Sequence, residues 1–264
     1  MTTINQTFPM NVTLVGGPTA IIDYAGIRIV VDPTFDPPAT YGPEVVGAPV
    51  TIVRNRPPAF GPDELGDVHL VLVTHDHHDH LDSSGRALAA SVAATFTTEH
   101  VAEGIPGAQG MSEWQTHTVT SPDGREITIT AVPALHGPEH LKEALGPVIG
   151  FVITSPGDRT IYISGDNASI EPVQKVAAQF PDIAVALLFA GGPSFEVFGD
   201  VYIAFSDEMA VAAAQILEKA TIFPIHADSW EHFSQTAESM KQLATENGIG
   251  ERVIALTPGQ LVTI

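Results

Sequence analysis

The segment Thr74-His75-Asp76-His77-His78-Asp79-His80-Leu81 constrains this chain more than any other stretch. It places four histidines and two aspartates within six residues, directly after the strand-like run from His69 to Val73. So many imidazoles and carboxylates cannot all be core residues, because each would need its own partner to offset desolvation. A strand that gives way to a loop lets alternate side chains converge from one side. His75 and His77 can then share one metal ion while Asp79 and His80 turn toward a second. A solvated polar loop is the alternative reading. His78 points away from its neighbours in a strand-like register, which suits a supporting or surface role. Neutral imidazole and carboxylate suit zinc, iron or manganese. The chain has no cysteine, so thiolate sites, disulfides and Cys nucleophiles are excluded.

Two ions need more ligands than one loop supplies, and three further candidates stand where β runs end. His136 follows the run ending at Val132 in ALHGPEH, Asp166 follows Ile161 to Ile163 in ISGDN, and His226 follows Thr221 to Ile225 in PIHADSW. Taken singly, Asp166 could cap the helix that starts near Ile170 and either histidine could be a half-buried surface residue. Together with the first loop they complete a site. Metal-bound histidines usually donate their other N–H to a carboxylate or carbonyl, which makes Asp32 and Asp76 candidate partners. For Asp32 an Asp-Pro turn at a strand end is an equal alternative. His140, Asp228, Trp230 and His232 lie beside the expected ligands and are candidate pocket residues. Trp230 and Phe233 also read as anchors for the last helix.

The rest of the chain reads as one domain of mixed α and β structure. Val12 to Val15, Ala20 to Tyr24 and Ile27 to Val31 form an antiparallel meander. Asp36 to Leu65, rich in Pro and Gly, reads as a long loop, of the kind that often lines a site. A helix is expected from Ser83 to Val92. Gln115 to Thr120 pairs with Glu126 to Val132 around SPDGR, and Val148 to Thr154 pairs with Thr160 to Ile163 around SPGD. Strands at Ile183 to Phe189 and Thr221 to Ile225 then alternate with helices at Ile170 to Phe180, Asp207 to Leu217 and Gln235 to Asn247, before a last strand near Val253.

Lys and Arg total 11 against 31 Asp and Glu, a formal net charge of -20, and no Lys precedes Lys142. Such a surface repels polyanions, so nucleic acid and anionic membranes are poor partners. The opening MTTINQTFPM lacks a basic region followed by an apolar stretch, and the apolar run from Ile183 to Ala190 is too short to span a bilayer. A soluble, cytoplasmic protein is expected.

THDHHDH resembles the HxHxDH signature of the metallo-β-lactamase superfamily, and His136, Asp166 and His226 match the remaining ligands of that family in order. VGGPTAIIDYAGIRIVVDPTF, SGDN and PIHADSWEHF look more narrowly like the branch related to L-ascorbate-6-phosphate lactonase, the lactonase-like metallohydrolases. The resemblance implies an α+β fold, an αββα sandwich of two mixed sheets with helices on the outer faces. It also implies that His75, His77 and His136 hold one ion, that Asp79, His80 and His226 hold another, and that Asp166 bridges both. A carboxylate at Asp166, where some β-lactamases place Cys, weakens a lactamase reading.

A water between two such ions would be acidic enough to supply hydroxide at neutral pH. The expected cofactors are two divalent ions, zinc first, with manganese or iron compatible. Asp79 and Asp166 are the expected catalytic carboxylates, and Asp166 or a metal-held water would protonate the leaving oxygen. The expected activity is hydrolysis of a lactone or similar ester on a small-molecule substrate. A phosphodiesterase or other phosphoric ester hydrolase is the alternative; it would want basic residues near the ions, and only Arg54, Arg56 and Arg159 are plausible. A non-haem iron redox protein and a non-catalytic metal protein rank lower. Phe195, Phe198, Tyr202 and Phe205 in Gly191 to Phe205 read equally as a pocket wall or as the contact of a homo-oligomer.

Overall fold

Alternation of side chains along a strand gives each sheet an inner and an outer apolar face, and this chain fills both. The computed structural model describes residues 9–264; residues 1–8 of the opening stretch, read above for a leader, lie outside them. One sheet has seven strands in the order Leu261–Thr263, Asn11–Gly16, Thr19–Tyr24, Ile27–Val31, Leu70–Leu72, Ala94–Thr98 and Gln109–Met111. The first four are antiparallel to their neighbours, as the meander reading expects, and the last three run parallel from Ile27–Val31 onward. The other sheet has six, in the order Thr221–Ile225, Ile183–Phe189, Thr160–Ile163, Ile149–Thr154, Glu126–Pro133 and Thr116–Thr120. Its first three strands are parallel, and both expected hairpins form the rest.

The sheets stack face to face. Val12, Leu14, Ile22 and Ile29 from one meet Ile129, Phe151, Ile163 and Leu187 from the other in a single buried cluster. Residues of opposite parity, Tyr162, Ala186, Leu188 and Ile222, turn outward. There they pack on Val173 and Val176 of the helix Ile170–Gln179, Ala210 and Ala214 of Asp207–Ile216, and Met240 and Ala244 of Ala237–Glu246. Ile183–Phe189 is thus buried on both faces, which explains its unbroken apolar sequence. Across the molecule, Val30 and Val71 pack on Ala89 of the helix Ser83–Ser91. The result is an αββα sandwich of two mixed sheets with helices on the outer faces, as the resemblance implies.

Three expectations change. Asp36 to Leu65 is not a bare loop: Ala39–Tyr41 pairs with Ile52–Arg54 as a small hairpin carrying the short helix Pro43–Val46, because Ile52 and Arg54 are buried on one face. Val253 makes only an isolated bridge to Ile222 and no strand. The final strand is Leu261–Thr263, whose outer two side chains are exposed, so backbone pairing with Asn11–Thr13 makes the strand and no apolar pattern marks it. The last helix starts at Ala237 because Thr236 caps it by accepting from Ser239 N, while the Gln235 side chain accepts from Asp207 N at 2.7 Å instead. No helix among the described residues is long and apolar enough to cross a membrane.

Candidate metal centre

Strands from both sheets end at one edge of the sandwich and deliver the polar residues there. Ile27–Val31 leads to Asp32, Leu70–Leu72 to the loop His75 to His80, Glu126–Pro133 to His136, Thr160–Ile163 to Asp166, and Thr221–Ile225 to His226. Two of these exits are strained. Asp32 has φ 41° and His226 φ 58°, left-handed values that cost an L residue about 1–2 kcal/mol. Hydrogen bonds hold both in place: Asp32 N donates to Leu72 O at 2.9 Å and His226 N to Gly17 O at 2.8 Å. Before Asp166, Gly165 has φ 60°, and a Cβ there would stand 2.7 Å from Ile149 O, so the approach of the two strands requires glycine.

All seven histidines and aspartates expected as ligands converge. His77 Nδ1 lies 3.1 Å from both His75 Nε2 and His136 Nε2. Asp166 Oδ2 stands 3.4 Å from His136 Nε2, 3.5 Å from His80 Nε2 and 4.0 Å from His75 Nε2, while its Oδ1 lies 3.4 Å from His226 Nδ1. Asp79 Oδ2 is 3.4 Å from His226 Nε2 and 3.8 Å from His80 Nε2. Donors about 2.0–2.2 Å from one small ion stand roughly 3–3.5 Å apart, and the contacts of 3.1–3.5 Å have that spacing. Asp166 reaches both sets of donors.

Asp32, fully buried, organises the ring nitrogens. Its Oδ2 accepts from His80 Nδ1 at 2.9 Å and from Thr74 Oγ1 at 2.7 Å, and its Oδ1 accepts from Thr74 N at 2.6 Å. Because Thr74 Oγ1 spends its proton on Asp32, it accepts from His75 Nδ1, 3.0 Å away. His136 Nδ1 donates to Ile203 O at 2.6 Å. Each arrangement fixes Nδ1–H and leaves the Nε2 lone pair aimed into the cluster.

Several of those inward atoms have no partner. His80 Nε2, both ring nitrogens of His226 and Asp166 Oδ1 are buried without a hydrogen bond. Orphaned polar atoms in a protein interior each cost about 1–3 kcal/mol, and a divalent cation is the partner this donor set fits. Burial pushes the imidazoles of His75 and His77 down from their ordinary value, and that of His136 to about 4, which keeps them neutral and ready to ligate. Burial would raise Asp79 and Asp166, but neighbouring histidines outweigh it: His80, His226 and His232 for Asp79, and His226, His80 and His136 for Asp166. Both carboxyls stay well below the usual range.

The remaining candidates divide. Asp76 is half-exposed and pairs with Arg86 at 3.2 Å, away from the cluster. His78 turns aside onto Tyr41, ring centroids 4.0 Å apart. Asp228 Oδ1 accepts from Gly17 N at 3.1 Å, bracing the turn that holds His226. Trp230 is buried with Val50 and Ile52 beneath Arg54, whose guanidinium lies 5.5 Å from its ring. His140 is exposed on the turn Glu139–Leu141 and stays outside the cavity over the cluster, because that single turn after Pro138 carries its ring outward. His232, singled out in the sequence only as a neighbour of His226, donates from Nε2 to Asp79 Oδ2 at 3.1 Å. Its signal was the spacing PIHADSWEHF.

Over Asp79, Asp166, His77 and His136 lies a narrow cavity walled by Val50, Ile52, Leu145, Phe195, Phe198 and Ile203. No Lys or Arg lines it. Arg54 is buried against Asp82 at 3.5 Å, Arg56 is exposed, and Arg159 precedes the strand Thr160–Ile163 at the end away from Asp166.

The family profile of the Beta-lactamase superfamily domain matches residues 27–227. A UPF0173 metal-dependent hydrolase of Pyrococcus abyssi is 29% identical over 203 residues, 75% of this chain and 83% of that protein. One from Pyrobaculum aerophilum is 27% identical over 260 residues, covering 97% and 100%. Among solved structures, an isothiocyanate hydrolase from Delia radicum gut bacteria superposes with TM-score 0.80 at 22% identity, over 97% of this chain and 99% of that one. With the sandwich, the convergent His/Asp cluster and these relatives, the chain belongs to the beta-lactamase superfamily, as a metal-dependent hydrolase of the metallo-β-lactamase fold.

Proposed function

We propose that the chain is a lactonase-like hydrolase that opens a lactone or similar ester with an uncharged, apolar body, using two divalent ions, zinc first. His75, His77 and His136 would hold one ion, Asp79, His80 and His226 the other, and Asp166 both. The ions would supply what the side chains lack, an acidified water at neutral pH and polarisation of the ester carbonyl. The protein's own residues do the rest. Asp32, through Thr74 and directly, keeps the rings of His75 and His80 in the ligating tautomer. Val50, Ile52, Phe195 and Phe198 seat the apolar body and exclude water from around the carbonyl. Asp79 and Asp166, the carboxylates that line the cavity, are the groups able to carry a proton from the attacking water to the leaving oxygen.

The observation that carries this reading over a phosphoric ester is the cavity's apolar wall above the His/Asp cluster and the absence of Arg or Lys from its lining. A phosphate normally meets an Arg or Lys fork, and none of the three plausible arginines reaches the site. The test is metal content per chain together with hydrolysis of apolar lactones, an organic isothiocyanate and bis(p-nitrophenyl) phosphate, before and after chelation. About two ions per chain and chelator-sensitive lactone opening are expected. Phosphodiester cleavage alone would transfer the assignment to the alternative.

A further inference from the structure

We infer that His232 is an additional ligand of the second ion, beside Asp79 and His226, an inference that rests on the dinuclear reading above. Ligand atoms of these three residues all lie within 4.8 Å of one another, a grouping separate from those of His75, His77 and His136 and of His75, His80 and Asp166. His232 Nε2 is 3.1 Å from Asp79 Oδ2, closer than the 3.8 Å of His80 Nε2, and His226 Nε2 is 3.4 Å from the same oxygen. That spacing is what adjacent donors around one ion of zinc or manganese size require.

The ring is also held in place by packing. It is 7% exposed, stacked on Phe195 with centroids 5.2 Å apart at 24°, and packed against Phe233 at 4.5 Å. Its Nδ1 is buried with no partner, so the contact to Asp79 is the ring's one hydrogen bond through a nitrogen. Reaching this place requires the turn after His226, where Ser229 takes a left-handed φ of 70° and brings the chain back over the site. With His232 the second ion has five protein donors and the first has four, Asp166 counted for both.

The experiment measures metal stoichiometry and affinity, and the cobalt(II) absorption spectrum, for wild type, His232→Gln and His232→Phe. Glutamine keeps a donor for Asp79, and phenylalanine keeps the stack on Phe195. Ligation predicts that both variants retain the first ion, bind the second at least tenfold more weakly, and show a stronger visible cobalt band as the second site drops one ligand. Wild-type affinity and spectrum in both variants, or rescue by His232→Gln alone, would overturn it and leave His232 as the hydrogen-bond partner of Asp79. A wild-type protein that takes up one ion overturns the dinuclear reading, and this inference with it.

Discussion

Asp32 and His80, 48 positions apart, meet through a 2.9 Å hydrogen bond from His80 Nδ1 to Asp32 Oδ2, with both side chains fully buried. The contact joins the first strand group to the loop His75 to His80 and sets which ring nitrogen of His80 faces the His/Asp cluster. Asp32→Asn tolerates the left-handed backbone but removes the charge and one acceptor. It should weaken metal binding or activity roughly 10–100-fold. Asp32→Ala adds backbone strain and should also lower the denaturation midpoint beyond the Asn variant. Calorimetric metal titration and urea melts on the two proteins check both statements.

Chelation should abolish hydrolysis and lower the melting temperature, because metal that binds only the folded chain would stabilise it by mass action. Re-addition of zinc or manganese should restore both. A chelated protein that keeps its full rate would count against the cluster as the active centre.

Phe198→Ala removes one apolar wall of the cavity while leaving every candidate ligand in place. Burial of an aromatic side chain against a substrate contributes about 1.5–3 kcal/mol, so kcat/KM for an apolar lactone should fall on the order of tenfold to a hundredfold. Metal content should stay at the wild-type value.

Arg54 is 1% exposed, with Nη1 3.5 Å from Asp82 Oδ2, Nε donating to Arg56 O and Nη2 to Thr34 O. Arg54→Met leaves the Asp82 carboxylate buried without its counter-charge and should cost about 3–5 kcal/mol in urea denaturation. Asp82 also accepts from Phe35 N, Asp36 N and Gly85 N, so the helix Ser83–Ser91 should still form.

The metal-free protein should lose stability as pH falls below about 6.5, the ordinary value for histidine. His75, His77 and His136 have folded values below the unfolded one, so the unfolded chain takes up protons first and is favoured by acid. For His136 the window runs from about 6.5 down to its folded value of about 4. The lowered carboxyls of Asp79 and Asp166 extend the loss below the ordinary carboxylate range, while His80, lifted by Asp166 and Asp79 against its burial, opposes it. Melts at stepped pH on chelated protein read the slope directly, and a flat profile from pH 7 to 5 would contradict it.

Much of this was written in the chain as local pattern. Strand alternation and the SPDGR and SPGD turns marked both hairpins, and the density of imidazoles in THDHHDH could mean little but metal. The hairpin inside Asp36 to Leu65 was hidden, because strands of three residues are too short to show a period. Leu261–Thr263 was hidden for another reason: its partners are backbone groups of Asn11–Thr13, and its exposed side chains carry no burial signal.

The sequence by itself determined the donor chemistry. Without cysteine, and with His and Asp at five strand ends, any metal had to meet nitrogen and carboxylate oxygen at one sheet edge. Only the tertiary structure decided which polar residues share that edge. It brought in His232 and left out Asp76 and His140, whose neighbours in the chain look no different. It also buried Arg54 against Asp82, so that no Arg or Lys lines the cavity over the cluster. The physical reason is that residue type fixes what a side chain can bind, whereas convergence depends on strand register and loop closure set by packing between sheets far apart in the chain.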